Sequence, residues 1–256
     1  GEVMEQLLDS CELPTIIIGP ETKSIQEVLK SAVRQTIANN QPVVLLVKKG
    51  TFEPYNLKNS VPDIAQPSRE DTIEMIVEGS EADDIFVSTT GMPSRELFEI
   101  RVKKQQTHEK DFLTVGGMGH ASSIATGISM NYNGNVVCLD GDGSLLMQMG
   151  SLVTNAKYAS SKFFHIILNN GVHDSVGGQP TLINQVDLVS LSRSCGYQHS
   201  FKISSELELE KILSKKYDNS VFIEFKVNPG SNPLLGRPKE TPKENLDNLM
   251  KYLSKK

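Results

Sequence analysis

Two short polar segments, each closing an apolar run, constrain this chain more than any other feature. Asn135-Val136-Val137-Cys138-Leu139-Asp140 leads into Gly141-Asp142-Gly143-Ser144, and Phe163-Phe164-His165-Ile166-Ile167-Leu168 leads into Asn169-Asn170, with 25 residues between the Gly-Asp-Gly and the Asn-Asn. Strand, turn, helix, strand is the natural reading, so both polar tips are expected at the same edge of a parallel sheet. A carboxylate and a carboxamide oxygen then lie side by side, next to the start of a helix. Hard oxygen ligands beside free helix N–H groups suit a divalent cation carrying a phosphate ester. Gly-Asp-Gly alone occurs in many turns, and its weight here comes from the spacing and the preceding strands.

Periodicity extends the pattern along the chain. Ile16-Ile17-Ile18 reads as a strand. Ser24 to Asn39 reads as an amphipathic helix with Ile25, Val28, Leu29, Ala32, Val33 and Ile37 on one face. Pro42 to Val47 reads as a buried parallel strand. Glu53 to Ser68 holds three prolines and little periodicity, which marks a linker. A second α/β series follows. Helices are predicted over Arg69 to Glu78 with Ser68 as N-cap, Ser94 to Ile100, from His120 to Met130, Asp187 to Ser194, Ser205 to Ser214 and Lys243 to Leu253. Strands are predicted over Ile85 to Val87, Phe112 to Val115, Gln198 to Ile203 and Val221 to Val227. The fold class is α/β, a doubly wound parallel sheet preceded by a partial second α/β domain.

Composition narrows the function. The net charge is −5 and the sequence pI about 5.6, which disfavours a nucleic-acid partner. Three cysteines, Cys11, Cys138 and Cys195, show no metal-binding spacing and fit a reducing, cytoplasmic compartment. No apolar run is long enough to span a membrane, so no membrane partner is expected. The opening Glu2 to Leu8 has helical spacing without a start signal, and the chain is expected to be a piece of a longer protein.

Ligands in such sheets bind at the carboxyl ends of the strands. Three further loops there carry suitable groups: Thr90-Gly91, Gly116-Gly117-Met118-Gly119, and the run from Gly171 to Thr181. Together with their flanks these loops carry a resemblance. Thr90 to Leu97 (TGMPSREL), Gly116 to His120 (GGMGH) and Asn169 to Thr181 (NNGVHDSVGGQPT) resemble the phosphonopyruvate decarboxylase branch of the thiamine-diphosphate-dependent 2-oxo acid decarboxylases. The sulfopyruvate decarboxylases are the nearest relatives by pattern. The resemblance implies a thiamine-diphosphate-binding fold. Residues 69–256 would be the diphosphate-binding domain, 59–68 a linker, and 1–58 the C-terminal part of a pyrimidine-binding domain.

The same resemblance implies the chemistry and its residues. The function would be thiamine-diphosphate- and Mg²⁺-dependent decarboxylation of 3-phosphonopyruvate to phosphonoacetaldehyde and CO₂, in phosphonate biosynthesis. The alternative is a sulfopyruvate decarboxylase, or its cofactor-binding subunit, inactive without a partner. Asp142, Asn170 and the carbonyl of Val172 would hold Mg²⁺. Thr90, Gly91, Gly141, Gly143 and Ser144 would complete the cofactor site. Met118 would prop the cofactor in its bent form, and the Gly116 carbonyl would accept from its amino group. His173 is a candidate proton donor, with a structural histidine as the other reading. Ser175, Gly177, Gly178 and Gln179 would bind an anionic 2-oxo acid, with Arg95 or His120 as further donors. Val176 stands where pyruvate-type enzymes carry a glutamate, and consecutive N–H groups there can form an anion nest. Asp174 is the awkward neighbour and must point away or be paired.

The family's cofactor-activating glutamate matches none of Glu2, Glu5, Glu12, Glu21, Glu27 or Glu53. It is expected outside this chain, which alone should then be inactive. The resemblance further implies a homodimer or higher homo-oligomer with the active site at the subunit interface.

Overall fold

The computed structural model describes residues 3–53 and 66–255. Of the expected linker, residues 59–65 lie outside the described residues, as does Glu2. The chain forms two compact units, Gly1–Ser60 and Val61–Lys256.

The first unit holds helix α1 (Met4–Ser10), strand β1 (Thr15–Ile18), helix α2 (Ile25–Asn39) and strand β2 (Val44–Val47). Ser24 caps α2 by accepting from the Glu27 N–H at 3.3 Å, and Asn40 ends it in the left-handed region. β1 and β2 pair in parallel, Thr15 opposite Val44 and Ile18 opposite Val47. One expectation needs correction here. β2 is half-buried rather than buried. On the apolar face of α2 only Ala32 is buried, and Ile37 is 77% exposed. A two-stranded sheet offers too little surface to cover a helix of 15 residues.

The second unit begins with helix α3 (Arg69–Glu78), where Ser68 accepts from the Asp71 N–H at 3.0 Å. Next come β3 (Ile85–Ser88), α4 (Met92–Lys103), β4 (Asp111–Leu113), α5 (Ala121–Ser129) and β5 (Val136–Gly141). The single helix expected after Gly-Asp-Gly is two, α6 (Asp142–Met147) and α7 (Ser151–Tyr158), because Gln148 leaves helical geometry. β6 (Phe163–Asn169) follows. The segment read as a loop then contains a short hairpin, β7 (Val172–His173) and β8 (Gln179–Pro180). The chain ends with α8 (Leu188–Cys195), β9 (His199–Ile203), α9 (Glu206–Leu213), β10 (Val221–Lys226) and α10 (Pro242–Leu253).

Six strands form one parallel sheet in the order β4-β3-β5-β6-β10-β9. Alternate residues feed its two faces. Val137, Leu139, Phe164 and Ile166 pack with Ile73 of α3, Leu97 of α4 and Leu209 of α9. Val136, Cys138 and Phe163 pack with Ala121 of α5 and Leu249 of α10, while Ile167 and Phe222 meet Leu152 of α7 and Leu188 of α8. Helices therefore cover both faces, the doubly wound α/β architecture. Among the described residues no helix is long and apolar enough to cross a membrane.

The β4 edge of the sheet is closed by a side chain. Asn245 of α10 accepts from the Leu113 N–H at 2.9 Å and donates to the Asp111 carbonyl at 2.8 Å. It stands in for a neighbouring strand. Asn245→Ala strands two buried backbone groups and is expected to cost about 3 kcal/mol, at 1–3 kcal/mol per unpaired group. Urea denaturation with an unchanged midpoint would contradict this.

Candidate active site

The sheet order places a crevice. From β3 the chain runs outward to β4, then returns to β5 on the other side of β3. The loops leaving β3 and β5 diverge at this switch point, where open α/β sheets bind ligands. Gly141 lies opposite Leu168 in the register of β5 and β6, so Gly-Asp-Gly and Asn-Asn leave the sheet at one level.

A cavity of about 60 Å³ sits there, and ten residues expected from the sequence line it: Thr90, Met118, Gly141, Asp142, Gly143, Ser144, Asn170, Val172, His173 and Ser175. Gly91 adjoins it as the N-cap of α4, facing the Ser175 side chain. Gly116 is exposed and does not line the cavity. Gly177, Gly178 and Gln179 lie further along the hairpin, where Gly178 N–H donates to the His173 carbonyl at 3.0 Å. Arg95 and His120 line no part of it. A larger cavity of about 740 Å³ opens at the amino ends of the strands, bordered by Glu81, Asn131 and Lys162, and no motif residue reaches it.

Asp142 opens α6 and is only 2% exposed. Its Oδ2 accepts from the Thr181 hydroxyl at 2.5 Å. Burial pushes its carboxyl above the usual carboxylate range; the Thr181 hydroxyl, the Gly143 N–H and nearby His173 act the other way without cancelling that push. A buried carboxylate so placed gains strongly from a cation. Ser144 shares a 2.8 Å hydrogen bond with the Thr89 hydroxyl and accepts from the Gly119 N–H at 3.0 Å. Position 143 admits only glycine: a Cβ would lie 2.6 Å from His173 Cε1 and 2.7 Å from Nδ1, with Met118 Cε at 3.4 Å. The imidazole and the thioether therefore close over the first turn of α6.

Asp174 is paired. Its Oδ2 takes Arg69 Nη1 at 2.7 Å and Asn170 Nδ2 at 2.7 Å. Arg69 is 4% exposed and grips Glu96 with Nε and Nη2, both at 2.8 Å. Burial alone would lower the guanidinium pKa, but Glu96 and Asp174 outweigh it and hold the charge more firmly than usual. Thr89, Glu96, Arg69 and Thr181 are absent from the sequence assignments. Arg69 carried one signal, a cation in the first turn of a helix, where the dipole disfavours it.

Beneath the Gly-Asp-Gly turn lies a second polar group. Asp140 Oδ1 accepts from the Gly141 N–H at 2.9 Å, and its Oδ2 lies 3.2 Å from His165 Nε2. His165 Nδ1 meets the Tyr197 hydroxyl at 3.3 Å. Cys138 completes a cluster of potential metal ligands, but burial pushes its thiol well above the usual range and so opposes metal binding. This group ties the turn to the core.

The family described as thiamine pyrophosphate enzyme, C-terminal TPP binding domain, matches residues 89–225. A phosphonopyruvate decarboxylase of Streptomyces viridochromogenes is 33% identical over 262 aligned residues, covering 95% of this chain and 64% of that protein. The chain thus spans less than two thirds of that relative's length. A sulfopyruvate decarboxylase subunit beta of Methanothermobacter thermautotrophicus is 34% identical over 163 residues, covering 64% of this chain and 83% of the subunit. In fold, the chain is similar to a thiamine diphosphate-dependent 4-hydroxybenzoylformate decarboxylase of Rhodococcus jostii RHA1, with a TM-score of 0.54 at 19% identity over 72% of this chain and 37% of that one. A doubly wound sheet, a buried aspartate at the switch point and a family match from Thr89 to Phe225 lead to one conclusion: the chain belongs to the thiamine pyrophosphate enzymes and carries their C-terminal cofactor-binding domain.

Proposed function

We propose that this chain serves the thiamine-diphosphate- and Mg²⁺-dependent decarboxylation of 3-phosphonopyruvate to phosphonoacetaldehyde and CO₂, within a cytoplasmic homo-oligomer. The observation that carries the cofactor half is the convergence of Asp142, Asn170 and Val172 on one cavity beside the α6 N–H groups. Their oxygens are the hard ligands that Mg²⁺ takes, and Asp142 is a buried carboxylate held by the Thr181 hydroxyl and backbone N–H groups, with no lysine or arginine paired to it among the described residues. The residues fit the group. When bound, thiamine diphosphate supplies the sink for the electron pair that CO₂ leaves behind.

The chain's own residues would do the rest. Asp142 and Asn170 would offer oxygens to the cation, and the N–H groups at the start of α6, which have no partner one turn earlier in the helix, would hold the diphosphate. Met118 and His173 wall the cavity above Gly143. His173 is the candidate proton donor to the reacting carbon, as its imidazole lines the cavity. The substrate half rests on Val176, Gly177 and Gly178. Val176 is exposed, and both glycines have positive φ, +113° and +73°. Successive N–H groups in such a turn favour an anion, and no carboxylate stands at position 176 to repel one. Sulfopyruvate is the second reading, favoured by the 83% coverage of the sulfopyruvate decarboxylase subunit.

Substrate profiles of the full-length protein decide between them. Phosphonopyruvate is expected to exceed both pyruvate and sulfopyruvate in kcat/KM, and Val176→Glu to erode that preference by charge repulsion. Equal values for pyruvate and phosphonopyruvate would sink the reading.

Asp142 provides two further tests. Asp142→Ala is expected to weaken Mg²⁺-dependent cofactor binding at least ~100-fold, roughly 2.7 kcal/mol, by calorimetry. The second test is linkage. The folded carboxyl titrates above its ordinary value of 3.8, so the cation-free protein loses stability as pH rises from that value through the raised one. Asp142→Asn should therefore melt higher than wild type at pH 7 without Mg²⁺. The gap should close in acid and reverse when cofactor and Mg²⁺ are added.

A further inference from the structure

The cation site proposed above has a weak point at Asn170, and the inference rests on that proposal. A carboxamide presents an acceptor at one end and a donor of nearly the same shape at the other. Only the oxygen end can face a cation. The geometry holds a device that chooses the end. Asn170 Nδ2 donates to Asp174 Oδ2 at 2.7 Å, and Asn170 Oδ1 accepts from the Val172 N–H at 3.1 Å. A half-turn of the amide would set its oxygen against the Asp174 carboxylate and its NH₂ against the Val172 N–H. Both hydrogen bonds would become repulsions.

Asp174 is itself immobilised. Arg69 Nη1 lies at 2.7 Å from Oδ2, and the Gly230 N–H lies at 3.1 Å from each carboxylate oxygen. Arg69 has no freedom of its own, since Glu96 holds it by a two-pronged contact and the Gly230 carbonyl accepts from Nη2 at 3.2 Å. We propose that Asp174, anchored by Arg69, is a positioning residue that selects the amide orientation of Asn170 and so sets the affinity of the site for its divalent cation. A residue at 174 without an acceptor lets Asn170 populate both orientations, and each molecule with nitrogen inward lacks a ligand.

The test reads cation affinity rather than turnover. Thiamine diphosphate is titrated into the full-length protein by calorimetry across a series of Mg²⁺ concentrations. Asp174→Ala removes the acceptor facing Asn170 Nδ2 and is expected to raise the half-saturating Mg²⁺ at least tenfold. In Asp174→Asn the amide oxygen takes the place of Oδ2, where Arg69 Nη1, Asn170 Nδ2 and the Gly230 N–H all donate. The acceptor therefore survives the loss of charge, and the Mg²⁺ requirement should stay within about threefold of wild type. An unchanged Mg²⁺ requirement in Asp174→Ala overturns the proposal. So does a tenfold rise in Asp174→Asn, which would show that the charge on Asp174, and not the acceptor it offers Asn170, sets the affinity; this second reading stands even if Asp174→Ala folds poorly. A wild type indifferent to Mg²⁺ overturns the cation site itself, and that outcome is visible before any substitution is made.

Discussion

The register of β5 against β6 is the constraint on which the rest of the site depends. Cys138 faces His165 and Gly141 faces Leu168, so the two motif turns leave the sheet at one height. Slippage by one residue would send every side chain of a strand to the opposite face. Apolar residues on both faces resist such a slip weakly, because valine, leucine and isoleucine pack on either side. Asp140 and His165 resist it better. Their 3.2 Å contact exists in one register, and any other buries a carboxylate without its imidazole.

Around the crevice the chain treats buried carboxylates in two ways. Glu96 and Asp174 share Arg69, and Glu224 has Lys226 at 3.2 Å and Lys202 at 3.6 Å. Asp142 has the Thr181 hydroxyl and backbone N–H groups instead. The first group is satisfied internally, whereas the second is left to gain from a guest. The two asparagines differ in place. Asn169 donates to Glu224 at 2.7 Å and belongs to the sheet, while Asn170 lines the cavity.

Much of this was legible beforehand. Strands such as Phe163 to Leu168 and helices such as Arg69 to Glu78 announce themselves by periodicity and by a capping serine. Gly141 to Ser144 and Asn170 were legible through the spacing of two motifs on neighbouring strands, and Met118, Val172 and His173 through the family resemblance. What stayed hidden depends on partners far apart in sequence. Arg69 reaches Asp174 across 105 residues, and nothing local marks either as the other's counterion. The hairpin of β7 and β8 was hidden because two-residue strands carry no period. The exposure of the apolar face of α2 was hidden as well, because amphipathicity states that a face is apolar and not what covers it.

Asn245 has a consequence for association. A sheet edge with free N–H and carbonyl groups invites another strand, from a neighbouring molecule as readily as from the same one. At β4 the Leu113 N–H and the Asp111 carbonyl are both taken by that one side chain, and α10 lies along the strand. Intermolecular β-augmentation is therefore barred along this margin. Copies of the second unit that meet along this margin must do so through side chains on helices and loops, while β9 forms the other margin of the sheet. Such surfaces can evolve new partners without exposing a template for fibrils.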